Sequence, residues 1–174
     1  YYIGIDSQEC AYMATSRLLT AGCEKVILAC LPGTERSMYR RIVSGYKTAL
    51  RRNLFKPENI LVLSDTCFDS PDERFNKQKL LTECDGIVLE NDMLFFDLYM
   101  RMLESGRSCD GDVEIAACIG TNPDRPCQFG INANYFDLFQ LGRDVFSALM
   151  DLIKFPQSVV EVNKIIVKPM SSTL

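Results

Sequence analysis

Two kinds of apolar pattern alternate along the chain. Short continuous apolar runs are typical of strands buried on both faces, and longer segments in which apolar residues recur every three or four positions predict amphipathic helices. The predicted strands are 25–30, 60–63, 86–89, 113–119 and 163–167. The predicted helices are 8–21, 35–53, 72–84, 92–105 and 135–153, and residues 121–126 are predicted as a loop.

The last predicted helix carries a regular stripe of large aliphatic side chains. Such a stripe is expected to face the core of the protein. The residues of this stripe are Leu138, Leu141, Val145, Leu149 and Leu152.

The alternation of strand and helix predicts the fold class. Repeated strand–helix units with strands of the buried type indicate an α/β protein with three layers, α/β/α, around a mainly parallel sheet joined by right-handed crossovers. In such sheets ligands bind beyond the carboxyl ends of the strands. The loops after Cys30, Leu63, Leu89 and Ile119 are therefore where binding residues are expected.

Arginines follow the first of these strands. Arg36, Arg40 and Arg41 lie close to the strand end, and a guanidinium fork there is suited to holding a polar ligand. The alternative is that they belong to the charged, solvated face of the helix that carries them.

The next two loops offer carboxylates, an aromatic ring and an amide. Asp65 and Phe68 suit a sugar, with the carboxylate on its hydroxyls and the ring on its apolar face, unless Phe68 is simply buried. After the following strand, Asp92 is expected to cap the next helix, which leaves the amide of Asn91 to reach a ligand.

Composition and charge exclude several classes of function. The 174 residues contain 19 Lys and Arg against 23 Asp and Glu, a net charge of −4, which argues against direct nucleic-acid binding by this chain. There is no histidine, so a His-dependent triad and an imidazole zinc ligand are excluded. No apolar run approaches the roughly 18–20 residues that cross a bilayer, so no membrane association is expected.

The eight cysteines form no C-x-x-C pair. Cys30 and Cys118 lie within apolar segments, where a thiol acts as a small hydrophobic group. This pattern predicts reduced cysteines and a cytoplasmic protein. Because glycine-rich phosphate loops and catalytic motifs are also missing, we expect no metal, no cofactor and no catalytic residues.

Several segments together carry a family pattern. Ile3-Gly4-Ile5-Asp6 leads into a helix that ends at Gly22, residues 44–50 read Ser-Gly-Tyr-Lys-Thr-Ala-Leu, and residues 86–93 read Gly-Ile-Val-Leu-Glu-Asn-Asp-Met. Leu141-Gly142 lies in the last helix, and residues 165–173 read Ile-Ile-Val-Lys-Pro-Met-Ser-Ser-Thr. In this order and spacing the chain resembles the lactose-repressor/galactose-repressor (LacI/GalR) family.

The resemblance implies a periplasmic-binding-protein-like effector domain of type I. Such domains have two α/β lobes with a small-molecule cleft between them, form homodimers, and regulate DNA binding by an attached helix-turn-helix domain. Against the family pattern, residues 1–174 are expected to form an effector-binding and dimerisation domain, mostly the C-terminal lobe. The DNA-binding domain and most of the N-terminal lobe are then expected to be absent from this chain.

The resemblance also implies ligand positions. Glu9 and Asn91 fall where the family contacts its effector, and Arg41 lies one place from the family's sugar-gripping arginine. Residues 119–122 replace a Gly-Phe/Tyr-Asp-Asp motif, so either Asn122 substitutes for the sugar-holding aspartate or the ligand is not a typical sugar.

Three functions remain open at this point. The first is a sensor of a small polar metabolite, such as a sugar or a sugar derivative, in a cytoplasmic transcription regulator that reaches DNA only through the absent domain. The second is an extracytoplasmic solute-binding protein of a sugar transporter, which shares the fold. The third, an α/β enzyme, is disfavoured by the missing catalytic motifs.

Overall fold

The structure is a computed structural model, and it describes residues 3–31, 37–53, 60–62, 71–107, 113–120, 131–134, 138–154 and 165–167. Strands and helices alternate along the chain. The strands are β1 (Ile3–Ile5), β2 (Val26–Cys30), β3 (Ile60–Val62), β4 (Gly86–Leu89), β5 (Glu114–Ala117), β6 (Asn132–Ala133) and β7 (Ile165–Val167). The helices are α1 (Ser7–Thr20), α2 (Ser37–Arg52), α3 (Pro71–Glu83), α4 (Phe95–Glu104) and α5 (Leu138–Lys154).

The strands form two parallel sheets. Five of them pair in the order β3-β2-β4-β5-β6, and β1 pairs separately with β7. All these pairings are parallel, so the predicted α/β class with a mainly parallel sheet is confirmed. The carboxyl ends of the five strands consequently meet at one edge of the larger sheet.

Helices cover both faces of the larger sheet. Ile27 of β2 belongs to a core cluster with Leu98 of α4, whereas the next residue, Leu28, belongs to a second cluster with Tyr46 of α2. Successive strand residues point to opposite faces, so burial of both identifies a sheet between two helical layers. Tyr46 is fully buried, and its hydroxyl donates a hydrogen bond to the carbonyl oxygen of Val26 at 2.8 Å.

Most element boundaries agree with the predicted ones within a few residues. The short strand β6 was not predicted, since two residues are too few to leave an apolar pattern. The predicted helix 92–105 begins as a 3₁₀ turn (Asp92–Leu94), and only then continues as α4. The predicted loop 121–126 lies outside the described residues.

The predicted burial of the α5 stripe is wrong for the side chains that the structure describes. Val145 and Leu149 are exposed, Leu141 and Leu152 are half-buried, and the side chain of Leu138 lies outside the described set. Neither core cluster includes any of the α5 side chains that are described, which are those of residues 139–154. A period of 3.6 residues identifies an apolar face of a helix but not the surface that covers it.

Gly45 lies where α2 approaches α1. A Cβ atom at this position would overlap the carbonyl oxygen of Gln8 and would lie 3.0 Å from the Cβ of Ala11. Glycine at this position therefore lets the α2 backbone come into direct contact with the first turns of α1. This contact sets the distance between the middle of α2 and the first turns of α1.

We predict that Gly45→Ala lowers the free energy of unfolding by about 1–3 kcal/mol, because the added methyl group forces the two helices apart. The control is Gly142→Ala in α5, where a Cβ would meet nothing within 4 Å. That change should raise the free energy of unfolding by about 0.5–1 kcal/mol. Urea unfolding followed by circular dichroism measures both, and equal midpoints for the two variants would show that the helix contact is not tight.

Candidate functional site

The chain segments that follow the central strands are held close to one another by backbone hydrogen bonds. The amide of Glu90, after β4, donates to Ala29 of β2 at 2.9 Å, and that of Cys118, after β5, donates to Leu89 at 2.8 Å. The amide of Asp92 donates to the carbonyl oxygen of Ile119 at 3.0 Å. The pairing of the strands therefore continues beyond their ends, and the loops after β2, β4 and β5 share one edge.

A cavity of about 270 Å³ lies beside this edge. Its described walls come from β1, from the N-terminal turns of α1 and α2, from the segment after β5, and from α5. The lining residues are Ile5, Ser7, Ser37, Met38, Arg41, Ile119 and Leu141. Pockets for drug-sized ligands measure about 300–1,000 Å³, so this cavity suits a smaller molecule.

An ion pair supplies the charge at this cavity. A terminal guanidinium nitrogen of Arg41, Nη2, lies 2.8 Å from Oδ1 of Asp6, and their side chains are 30% and 16% exposed. The Arg41 Nε atom is buried without a hydrogen-bond partner. The same Asp6 oxygen accepts hydrogen bonds from the backbone amides of Gln8 at 3.2 Å and Glu9 at 3.3 Å, so Asp6 also caps the N-terminus of α1.

The remaining wall of the cavity combines hydroxyl and apolar groups. Ser7 and Ser37 bring hydroxyls, which both donate and accept hydrogen bonds, whereas Met38 and Ile119 bring apolar surface. A wall with a few polar groups among apolar ones can orient a ligand that has hydroxyls on one face and carbon on another.

The predicted site residues fall into three groups. Arg41 lines the cavity, and Asn91 stands half-buried at the same sheet edge. Glu9 is exposed in the first turn of α1 and is not part of the lining. Arg36, Asp65, Phe68 and Asn122 lie outside the described residues, so their roles stay predictions.

The expected cap of the segment after β4 is corrected by one residue. Asn91, not Asp92, is the N-cap, since Oδ1 of Asn91 accepts a hydrogen bond from the amide of Met93 at 3.1 Å. An asparagine with extended backbone directly before a helical turn is a preferred capping residue. The carbonyl oxygen of the Asn91 amide is therefore already engaged within its own turn.

Two buried polar side chains form hydrogen bonds to the backbone at this sheet edge. Neither was predicted from the sequence. Glu90 is almost completely buried, and its Oε2 accepts a hydrogen bond from the amide of Leu31 at 2.9 Å. Asn134 is fully buried and donates from Nδ2 to the carbonyl oxygens of Cys10 and Cys118, both at 3.0 Å. The position of Glu90 could have been recognised from the sequence, because it directly follows an apolar strand. Asn134 follows a strand of two residues, which is too short to recognise.

The buried thiols near this edge are not reactive groups. Burial, with the negative charge of Asp6 as a smaller cause, raises the pKa of Cys10 to about 12, and burial also raises the pKa of Cys118. A thiol that stays protonated is a poor nucleophile and a poor metal ligand. The described cysteines, which are Cys10, Cys23, Cys30, Cys84 and Cys118, are all free and buried, as expected for small hydrophobic groups.

Within the described ranges no group of three or more Cys, Asp and Glu side chains could hold a metal ion. None of the helices in those same ranges is long and apolar enough to span a membrane.

No family model matches the chain, and no curated protein is a significant match. Solved structures, in contrast, are similar over most of the chain.

One similar structure is a LacI family transcriptional regulator from Enterococcus faecium with bound ribose, at 23% identity and a TM-score of 0.71. The match covers 97% of this chain and 62% of that one. The transcription regulator CcpA of Lactococcus lactis is similar at 20% identity and a TM-score of 0.70, over 97% of this chain and 61% of that one.

A sugar-binding transcriptional regulator of the LacI family from Escherichia coli, complexed with phosphate, is similar at 14% identity and a TM-score of 0.67. The match covers 86% of this chain and 54% of that one. The chain thus spans roughly 60% of the length of these structures. At these identities the likeness concerns the fold, and at that level the resemblance expected from the sequence is confirmed: the chain has the fold of LacI-family transcription regulators.

Proposed function

We propose that residues 1–174 form a ligand-sensing and dimerisation module of a bacterial transcription regulator. Its effector is a small polar metabolite, a sugar or a sugar derivative. DNA is reached only through a helix-turn-helix domain outside this chain. The observation that carries the proposal is the cavity at the sheet edge, which Arg41 lines together with Ser7 and Ser37.

The chemistry of the cavity walls supports a sugar-like ligand. Sugar hydroxyls can bond to the guanidinium and to the serine hydroxyls, while the carbon face of the ring packs on Met38 and Ile119. The E. faecium structure was solved with bound ribose, and ribose is therefore a reasonable first probe.

The position of the cavity supports a sensing role. Its walls come from β1, α1, α2, α5 and the segment after β5, so a ligand in it touches elements from both sheets. A ligand shifts a conformational equilibrium only as far as it binds one state better than the other. A ligand that contacts several separate elements binds most tightly to the one arrangement of those elements in which it makes all its contacts. Its affinity therefore differs between conformations.

The remaining candidate ligand contacts are not among the described lining residues of the cavity. Asn91 stands at the same edge, whereas Glu9 would reach the ligand only from outside the described lining. Arg36, Asp65, Phe68 and Asn122 are proposed as ligand contacts from the sequence alone.

The transporter alternative is less well supported than the regulator. The similar structures named above are all transcription regulators. The buried free thiols favour a reducing compartment, and we propose a cytoplasmic location for this reason. The proposal includes no catalytic step and no cofactor.

We predict that Arg41→Ala in the full-length protein weakens binding of the best sugar of a panel that includes ribose by at least about tenfold, since a hydrogen bond to a charged group contributes about 1.5–3 kcal/mol. The control is Arg40→Ala, which removes an exposed neighbouring arginine outside the lining. Isothermal titration calorimetry measures both. Equal losses in the two variants, or none in Arg41→Ala, would contradict the proposed site.

We also propose a homodimer that uses an apolar stripe along α4 and the 3₁₀ turn that precedes it. Met93 is 73% and Phe96 is 66% exposed, and Met100 and Leu103 are exposed on the same side of the helix. The spacing of three, four and three residues is the one with which two helices pack along a seam. A second copy of the chain presents the same stripe, so the two match around a twofold axis.

We predict that Phe96→Asp shifts the full-length protein from dimer to monomer, because the interface would have to bury a carboxylate. The control is Gln78→Asp, an equally charged change at an exposed position of α3. Sedimentation equilibrium gives the mass of each variant. A Phe96→Asp protein that stays dimeric at micromolar concentration would place the interface elsewhere.

A further inference from the structure

We propose that Asp6 sets the charge selectivity of the cavity, so that it accepts a neutral hydroxyl-bearing ligand and rejects an anion such as a phosphorylated sugar. The inference rests on the proposed ligand-sensing function and adds the class of ligand to it. It assigns a selectivity role to a residue that does not itself belong to the cavity lining.

The first support is the pairing of Arg41. An arginine in a cavity wall ordinarily attracts phosphate or carboxylate, because its guanidinium fork matches both. Here Nη2 of Arg41 is 2.8 Å from the carboxylate of Asp6, and both side chains are largely withdrawn from solvent. An anion that approached Arg41 would therefore also approach Asp6, and the repulsion would offset the attraction.

The second support is that Asp6 is fixed in place independently of Arg41. Its Oδ1 accepts the backbone amides of Gln8 and Glu9 at the start of α1. The carboxylate cannot turn away to admit an anion without uncapping the helix, and loss of a cap destabilises a helix. An arginine paired only with a mobile surface carboxylate would have no such constraint.

The third support is the place of Asp6 in the chain. It stands between β1, which pairs with β7, and α1, which packs on the larger sheet. The Asp6–Arg41 contact thus ties α2 to the junction between the two sheets. The hydroxyls of Ser7 and Ser37 remain in the lining to bind a neutral ligand.

The test uses Asp6→Asn in the full-length protein, with inorganic phosphate and ribose as probes. Asparagine caps helices as well as aspartate does, so the substitution removes the charge and keeps the cap. We expect phosphate to bind the variant at least about tenfold more tightly than it binds the wild type, from the loss of one charge within a few ångströms. The double variant Asp6→Asn/Arg41→Met should return to the wild-type affinity, because the gain depends on Arg41.

Each outcome of the calorimetric titrations decides the inference. A gain in phosphate affinity that disappears with Arg41 supports it. Unchanged phosphate affinity in Asp6→Asn, a gain that persists without Arg41, or a wild type that already binds phosphate as tightly as the variant overturns it. Asp6→Ser, which also keeps a capping oxygen and no charge, must repeat the result if Asp6→Asn does not fold.

Failure of the proposed function gives a different result. In that case neither ribose nor any other sugar of a panel binds the wild type, whatever phosphate does to the variants. Phosphate binding that requires both the loss of Asp6 and the presence of Arg41 would still locate charge selectivity at this pair.

Discussion

The close contact between α1 and α2 is the constraint on which the rest of the candidate site depends. Gly45 allows the α2 backbone to lie directly against the carbonyl oxygen of Gln8, in the second residue of α1. With a larger residue at this position the middle of α2 and the first turns of α1 could not lie so close. The Asp6–Arg41 pair bridges these two helix starts, and Ser7 and Ser37 stand beside it.

The sheet edge is held by buried polar groups that would be costly if unpaired. The buried side chain of Glu90 accepts a backbone hydrogen bond from Leu31, which offsets part of the cost of its burial. The amide nitrogen of Asn134 joins the start of α1 to the end of β5 by donating to Cys10 and Cys118, while its Oδ1 is buried without a hydrogen-bond partner. These hydrogen bonds hold Leu31, Cys10 and Cys118 in fixed positions at the sheet edge.

The fold could be predicted from the sequence because β2 and β4 are continuous apolar runs and α2, α4 and α5 are clearly amphipathic. Every residue of β2 and β4 is buried, so each strand is an unbroken apolar run that can be recognised without knowing which strands pair with it. The role of α5 could not be predicted in this way, since Val145 and Leu149 have the spacing of a core stripe and yet are exposed. The apolar pattern of a single helix does not show which part of the protein, if any, packs against its apolar face.

The candidate site was predicted only in part. Arg41 stood out because it is a charged residue shortly after a buried strand, and it lines the cavity. Ser7 and Ser37 did not stand out, because a serine at a helix start is usually a capping residue and carries no signal of a ligand. Ser37 and Arg41 are neighbours one turn apart on α2, whereas Ser7 of α1 reaches the same cavity only through the tertiary packing of the two helices.

The most direct test of the central claim, that the sheet-edge cavity is the ligand site, is a crystal structure of the full-length protein with a sugar that raises its melting temperature. The expected result is sugar density in the cavity, with a hydroxyl within hydrogen-bond distance of Arg41 and of Ser7 or Ser37. An ordered sugar bound at another place, with the space beside Arg41 filled only by solvent, would contradict the claim.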